Sequence, residues 1–154
     1  IAAVTGTVSM QGRTARAGVP MTLTAISVPY GPYTVSSIEQ ISNNLSFANL
    51  AEGVYTITTA QPRYLNITSA LAKTINTATQ TALARLELKG GNAIWTDNLI
   101  NIQDAGLVGS QFGSTDPSFD GDVNFDGKVN IQDLALVGGN YDLTSGVAYG
   151  VWVP

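Results

Sequence analysis

The hydrophobic pattern changes period near residue 90. Before it, apolar and polar residues alternate through Val4-Thr-Gly-Thr-Val8, Val19-Pro-Met-Thr-Leu-Thr-Ala-Ile26, Leu45-Ser-Phe47 and Val54-Tyr-Thr-Ile57. Alternation between Gly, Pro and Asn turns predicts half-buried strands. Tyr64 to Ala70 and Thr81 to Leu88 read as later strands, and Ala70 to Thr79 as loop or weak strand. About seven short strands at this spacing predict an all-β sandwich. After residue 90 the spacing becomes helical: Ala105, Val108 and Phe112, then Leu134, Val137 and Tyr141, stand at i, i+3, i+7. Each set marks one face of a short helix, and the two faces are expected to bury against each other.

These helices belong to a repeat. Asn101-Ile-Gln-Asp-Ala-Gly-Leu-Val-Gly-Ser-Gln-Phe112 aligns without gaps on Asn130-Ile-Gln-Asp-Leu-Ala-Leu-Val-Gly-Gly-Asn-Tyr141, with seven of twelve pairs identical. The run before the second helix, Asp122-Val-Asn-Phe-Asp-Gly-Lys-Val-Asn-Ile-Gln-Asp133, places oxygen-bearing side chains at loop positions one, three, five, nine and twelve. Ca²⁺ is a hard cation that takes about six to eight oxygens, so this spacing predicts a calcium loop. Asp122, Asn124 and Asp126 are its first expected ligands. Lys128 would offer its backbone carbonyl, Asn130 would bind directly or through water, and Asp133 would close the sphere. Gly127, at position six, permits the sharp turn.

The first loop is less regular. Counting back from Asp104 puts Asn101 at nine, Leu99 at the carbonyl position, Asn98 at six and Asp97 at five, but Trp95 and Ala93 fall where oxygens are wanted. Gly90-Gly91-Asn92 suggests one or two inserted residues, with Asn92 as a displaced first ligand. Asn92, Asp97, Leu99, Asn101 and Asp104 therefore form the weaker candidate site.

The segment before the second loop, Gly113 to Gly121, carries a Pro and two Gly and cannot be an entering helix. Loop followed by helix, twice, without the helix in front, resembles the dockerin family, calcium-dependent plugs that attach secreted proteins to cohesin modules. The resemblance implies two F-hand calcium units and a cohesin module as partner. It also implies a recognition surface at Ile102, Gln103, Gly109 and Ser110 with Ile131, Gln132, Gly138 and Gly139. Near-superimposable units would allow two binding orientations.

Composition narrows the rest. Residues 1–89 hold six Lys/Arg and three Asp/Glu, net +3, and residues 90–154 hold one and eight, net −7, which sum to −4. The acids cluster around the candidate loops, and without a basic patch nucleic acid is not an expected partner. The absence of Cys excludes disulfides, and the absence of His removes the commonest general base. No enzyme activity is expected. No apolar run is long enough to span a membrane, and Ile1 suggests a processed chain or a fragment.

The first half also resembles the carboxypeptidase regulatory-like module, a prealbumin-type sandwich. The likeness rests on Gly6-Thr-Val8, Ala17-Gly-Val-Pro-Met-Thr-Leu23, Asn44 to Ile57 and Pro62-Arg-Tyr64. Phe47, Leu50, Gly53 and Tyr55 are its core signature, with Gly53 expected to turn a hairpin. The expectation is thus a two-module, extracellular or cell-surface, monomeric protein: a sandwich over 1–88 and a small helical dockerin over 89–154. The apolar ending, Tyr149 to Pro154, should fold back. The alternatives are a calcium-stabilised stalk, or a carbohydrate-binding accessory module whose stacking face would be Tyr30, Tyr33, Arg63 and Tyr64.

Overall fold

The computed structural model describes residues 2–13, 21–25, 33–35, 44–69, 71–76, 80–150 and 152–154, and of residues 21–25, 33–35 and 44–49 the backbone alone. In chain order the strands are β1 (Ala2–Met10), β2 (Met21–Ala25), β3 (Tyr33–Val35), β4 (Asn44–Leu50), β5 (Gly53–Thr59) and β6 (Arg63–Tyr64). β7 (Ile67–Thr68), β8 (Lys73–Ile75), β9 (Thr81–Ala82), β10 (Leu86–Leu88) and β11 (Gly90–Asn92) follow. Among the described residues three short helices follow: α1 (Ile102–Ser110), α2 (Ile131–Gly139) and α3 (Ser145–Tyr149).

The strands form two main sheets. One runs β10-β1-β4 with β9 also on β1, the other β3-β2-β5-β7 with β8 also on β5. Alternation explains their packing. Ala2, Val4, Val8 and Met10 of β1, and Tyr55 and Ile57 of β5, are buried while the residues between them mostly are not. With Leu50, Tyr64, Ile67, Ile75, Leu83, Leu86 and Leu88 they make one apolar cluster. The protein is mostly β, in keeping with the expected sandwich.

Several expectations change in detail. Gly53 does not turn a hairpin, because β4 pairs with β1 and β5 with β2, so the chain crosses between sheets there. Gly is needed for space instead: a Cβ at residue 53 would lie 3.3 Å from the Tyr55 ring. That ring's hydroxyl donates to the Ala51 carbonyl at 2.9 Å and pins the crossing. Tyr64 to Ala70 divides into β6 and β7, and Thr81 to Leu88 into β9 and β10. The ambiguous stretch contains β8, paired antiparallel with β5. Parts of the Ala17 to Leu23 run, and Tyr30, lie outside the described residues.

A second cluster collects Ala93, Ile100, Val108, Val123, Val129 and Val137, and draws in Leu65 from the β6–β7 connection. Val108 and Val137 are fully buried, with Ala105 and Leu134 packed beside them. Phe112 and Tyr141 are not part of the stripe, at 54% and 45% exposed. Each helix stops before that position, at Ser110 and Gly139, so the i+7 residue leaves the helical face. The segment from Gly113 to Gly121 has no helix, as its Pro and Gly require. Among the described residues no helix is long and apolar enough to cross a membrane.

The chain's ending folds back on both halves. Tyr149 packs against both clusters, Trp152 against the first, and the Lys73 ammonium donates to the Pro154 carbonyl at 2.8 Å. The Tyr149 hydroxyl donates to the Leu65 carbonyl at 2.7 Å and accepts from the Lys89 amide at 2.9 Å. Its pKa is pushed up to about 12, chiefly by burial.

Candidate functional site

The two loop–helix units are related by a local two-fold. The amide of Val129 donates to Ser114 and its carbonyl accepts from Gly113, both at 2.8 Å. Ile100 repeats this with the segment after α2: its amide donates to Leu143 at 3.0 Å and its carbonyl accepts from Asp142 at 2.8 Å. Each loop's eighth residue thus pairs with the chain leaving the other unit's helix. The isolated Leu99–Thr144 bridge lies beside this contact.

Both helices begin alike. Asn101 and Asn130 cap them, accepting from the amides of Gln103 at 2.6 Å and Gln132 at 2.7 Å. Asp104 and Asp133 complete capping boxes by accepting from the cap residues' own amides at 2.8 Å. Each acid's other oxygen accepts from deeper in its loop: Asp133 from Asn124 at 3.2 Å, Asp104 from Ile94 at 2.8 Å. Ile94 therefore occupies the place of Asn124, and Asn92, two residues earlier, the place of Asp122. One extra residue lies between Ile94 and Asp97, so Trp95-Thr96 stands opposite Phe125. The insertion expected from sequence is a single residue.

In the second loop, side-chain oxygens tie the backbone into a ring. Asp122 accepts from the amides of Asp126 at 3.1 Å and Gly127 at 3.0 Å. Asn124 accepts from Asp126 at 2.8 Å, and Asp126 from Lys128 at 3.0 Å. Gly127 has φ +91°, as its turn position demands. Asp122, Asn124 and Asp133 are buried, while Asp126 and Lys128 face solvent. Asn130 is first a cap, its side-chain oxygen already accepting from the helix's first amides. Burial raises the pKa of Asp133, its two backbone bonds oppose this, and the Asp122 and Asp126 charges raise it further. Among the described residues no three acidic side chains cluster tightly enough to ligate an ion by themselves. The donor set is mixed, with three acids, two amides and the Lys128 carbonyl, which is the hard-oxygen chemistry of a calcium loop.

The first loop contains a parallel arrangement with fewer charges. Asn98 takes the left-handed backbone, φ 55°, opposite Gly127, and Asp97 accepts from the Leu99 amide at 3.1 Å as Asp126 does from Lys128. Asn92 is fully buried. Its carboxamide nitrogen donates to Asp97 Oδ1 at 3.3 Å and to the Leu99 carbonyl at 3.2 Å. Burial again leads the upward shift of the Asp104 pKa. Asn92, Asp97 and Leu99 thus come together, while Asn101 is committed to its cap.

All eight residues of the expected recognition surface are exposed. The burial pattern along α1 repeats residue for residue along α2. Ile102 and Ile131 are 68% and 67% exposed, large apolar side chains with no partner in the chain's own core. The stacking face proposed for sugars does not form: Arg63 and Tyr64 are buried, and no side chain is described for Tyr33.

The sequence did not point to Arg13, Phe125 or Asn140. The Arg13 and Arg63 guanidiniums both lie over the Phe125 ring, 4.2 and 4.3 Å from its centroid, and the ring stacks on Tyr64 at 6.3 Å. Asn140, just past α2, donates to the Gly90 carbonyl at 2.7 Å and to Gln11 Oε1 at 2.6 Å. The Asn66 amide donates to Asn98 Oδ1 at 2.7 Å, and Ser145 links Asn98 to the Asn66 carbonyl. Only the three-dimensional pairing of the two halves reveals these roles.

No family model matches the chain, and no curated protein matches it. Its fold is similar to a chain of a type II cohesin–X–dockerin complex from Acetivibrio cellulolyticus, in an N-terminal interface mutant. The TM-score is 0.66 at 19% identity, over 95% of this chain and 99% of that one. A C-terminal interface mutant of the same complex gives 0.66 at 18% identity with the same coverage. At such identities the likeness establishes the fold, and it does so almost end to end.

Proposed function

We propose that this chain is a non-catalytic attachment protein: a calcium-dependent dockerin over residues 89–154, braced by a sandwich over 1–88, that binds a cohesin-type module. The carrying observation is the exposed two-fold repeat on α1 and α2. Buried faces normally hold the large apolar residues, yet Ile102 and Ile131 stand at matched positions in solvent beside Gln103 and Gln132. Gly109 with Ser110, and Gly138 with Gly139, keep the far end of each face low, so a flat partner can approach the helix backbone. A symmetric surface of this kind suits a protein partner.

Ca²⁺ would be held by Asp122, Asn124, Asp126, Asn130, Asp133 and the Lys128 carbonyl, and by the smaller set of Asn92, Asp97, Leu99 and Asp104. Bound there, it would offset the carboxylate repulsion. The loops already place Asp104 and Asp133 at the helix starts, so loop geometry and helix presentation are one unit. Likeness to a cohesin–X–dockerin complex supports the reading and, with it, an extracellular setting. The repeated loop–helix units favour the X–dockerin side of such a pair.

The test is a pull-down of the whole chain with panels of cohesin and dockerin modules, with Ca²⁺ and with chelator. Calcium-dependent capture by a cohesin is expected. Charge reversal at Gln103 and Gln132 together should abolish it, and either change alone should weaken it less, since the other helix can serve. Capture by a dockerin, or cohesin binding indifferent to the double change, overturns the assignment.

A further inference from the structure

The second calcium loop is gripped by residues of the sandwich. Phe125, its fourth residue, adopts the left-handed backbone at φ 58° without being Gly, a conformation that costs an L residue energy. Its ring carries a guanidinium within 4.3 Å of the centroid twice, from Arg13 and from Arg63. Both guanidiniums thus lie over the one ring. Arg63 also donates from Nη1 to the Asp122 carbonyl at 2.8 Å, holding the first residue of the loop by its backbone. Its ion pair is with Asp120 at 3.3 Å, outside the candidate ligands. The corresponding place in the first loop is the Trp95-Thr96 insertion, where no positive φ occurs.

We propose that Arg13, Arg63 and Phe125 form a clamp that positions the second loop for Ca²⁺, so that the sandwich sets the loop's affinity. The inference rests on the calcium reading above. Two cations beside a cation site oppose binding through space, so as mere neighbours they would weaken it. As a clamp they have the opposite effect, because they grip the ring and one carbonyl and leave the ligand side chains alone. Holding Phe125 in its costly conformation before the ion arrives removes that cost from binding, the general benefit of preorganisation.

Removing the clamp therefore separates the two effects. Calcium is titrated calorimetrically into the full chain, with Asp122→Ala identifying the second-loop event. Arg63→Gln and Phe125→Leu should each weaken that event by about tenfold, the scale of one or two cation–π contacts, and leave the first-loop event unchanged. Phe125→Tyr, which keeps an aromatic face, should bind like wild type. Equal or tighter binding by Arg63→Gln overturns the clamp, because it is the outcome that charge alone produces. Should Phe125→Leu fail to fold, Arg63→Gln decides, since it alters no loop residue. If the wild type shows no event that Asp122→Ala removes, the calcium reading itself fails, a result distinct from a normal titration unaffected by the clamp variants.

Discussion

Replacing Gly91 with Ala should loosen the contact between β11 and α2. Gly91 has φ +111°, and a Cβ there would meet the Val137 Cα and amide nitrogen at 3.0 Å and the Leu136 carbonyl carbon at 3.1 Å. All three are helix backbone, so no side chain can rotate away. A positive φ costs an L residue roughly 1–2 kcal/mol, and forcing atoms into a packed contact roughly 1–3 kcal/mol. The less flexible unfolded chain returns about 0.4–1 kcal/mol. The net loss is about 2–4 kcal/mol, which at this chain length lowers Tm by roughly 5–15 °C. Gly138→Ala is the control. It is exposed on α2 with nothing within 4 Å of its Cβ, and should be neutral or raise stability by up to ~1 kcal/mol. Thermal denaturation by circular dichroism reads both. If Gly91→Ala melts within a degree or two of wild type, β11 does not press on α2 and the account of how the halves meet is wrong.

Asn140→Ala should cost about 1–3 kcal/mol, because it strips the buried Gly90 carbonyl of a donor; chemical denaturation that shows no change would refute that link. Chelator should lower the melting temperature, by up to about 2.7 kcal/mol of stability if Ca²⁺ stands at 100 times its Kd, and Asp122→Ala should abolish most of the response. Titration should resolve a tighter second loop and a weaker first, given three acids against two; equal affinities would count against ligand charge as the deciding factor. In chelator the pH dependence follows from Asp104 and Asp133. Their folded pKa values are raised above the unfolded 3.8, mainly by burial, so their contribution is full below 3.8 and is lost as pH rises through the folded values. Chelated protein should therefore gain stability on mild acidification, and Asp104→Asn with Asp133→Asn should flatten that gain.

Local rules wrote much of this protein openly into its sequence. Alternation along β1 and β5 marked their buried faces because side chains of a strand point to opposite sides. The repeat from Asn101 and from Asn130 marked two helices and their closing acids, since each of these depends on residues at most a few positions apart. Gly127 and Asn98 took the turn conformations that their residue types permit. What stayed hidden depends on distance along the chain. Whether Gly53 turned a hairpin or a crossing was set by which strands β4 and β5 paired with, and no local pattern records a partner. Phe112 continued the helical spacing yet fell outside the core, because the helix ended first. The length of the first-loop insertion became countable only when Asp104 was seen to bond Ile94 as Asp133 bonds Asn124. In the sequence Arg63 figured only as part of a stacking face and Arg13 had no role, until folding brought Phe125, more than sixty residues from the nearer one, under both. Short-range geometry is a property of the chain itself; a contact between distant segments exists only once both have been packed.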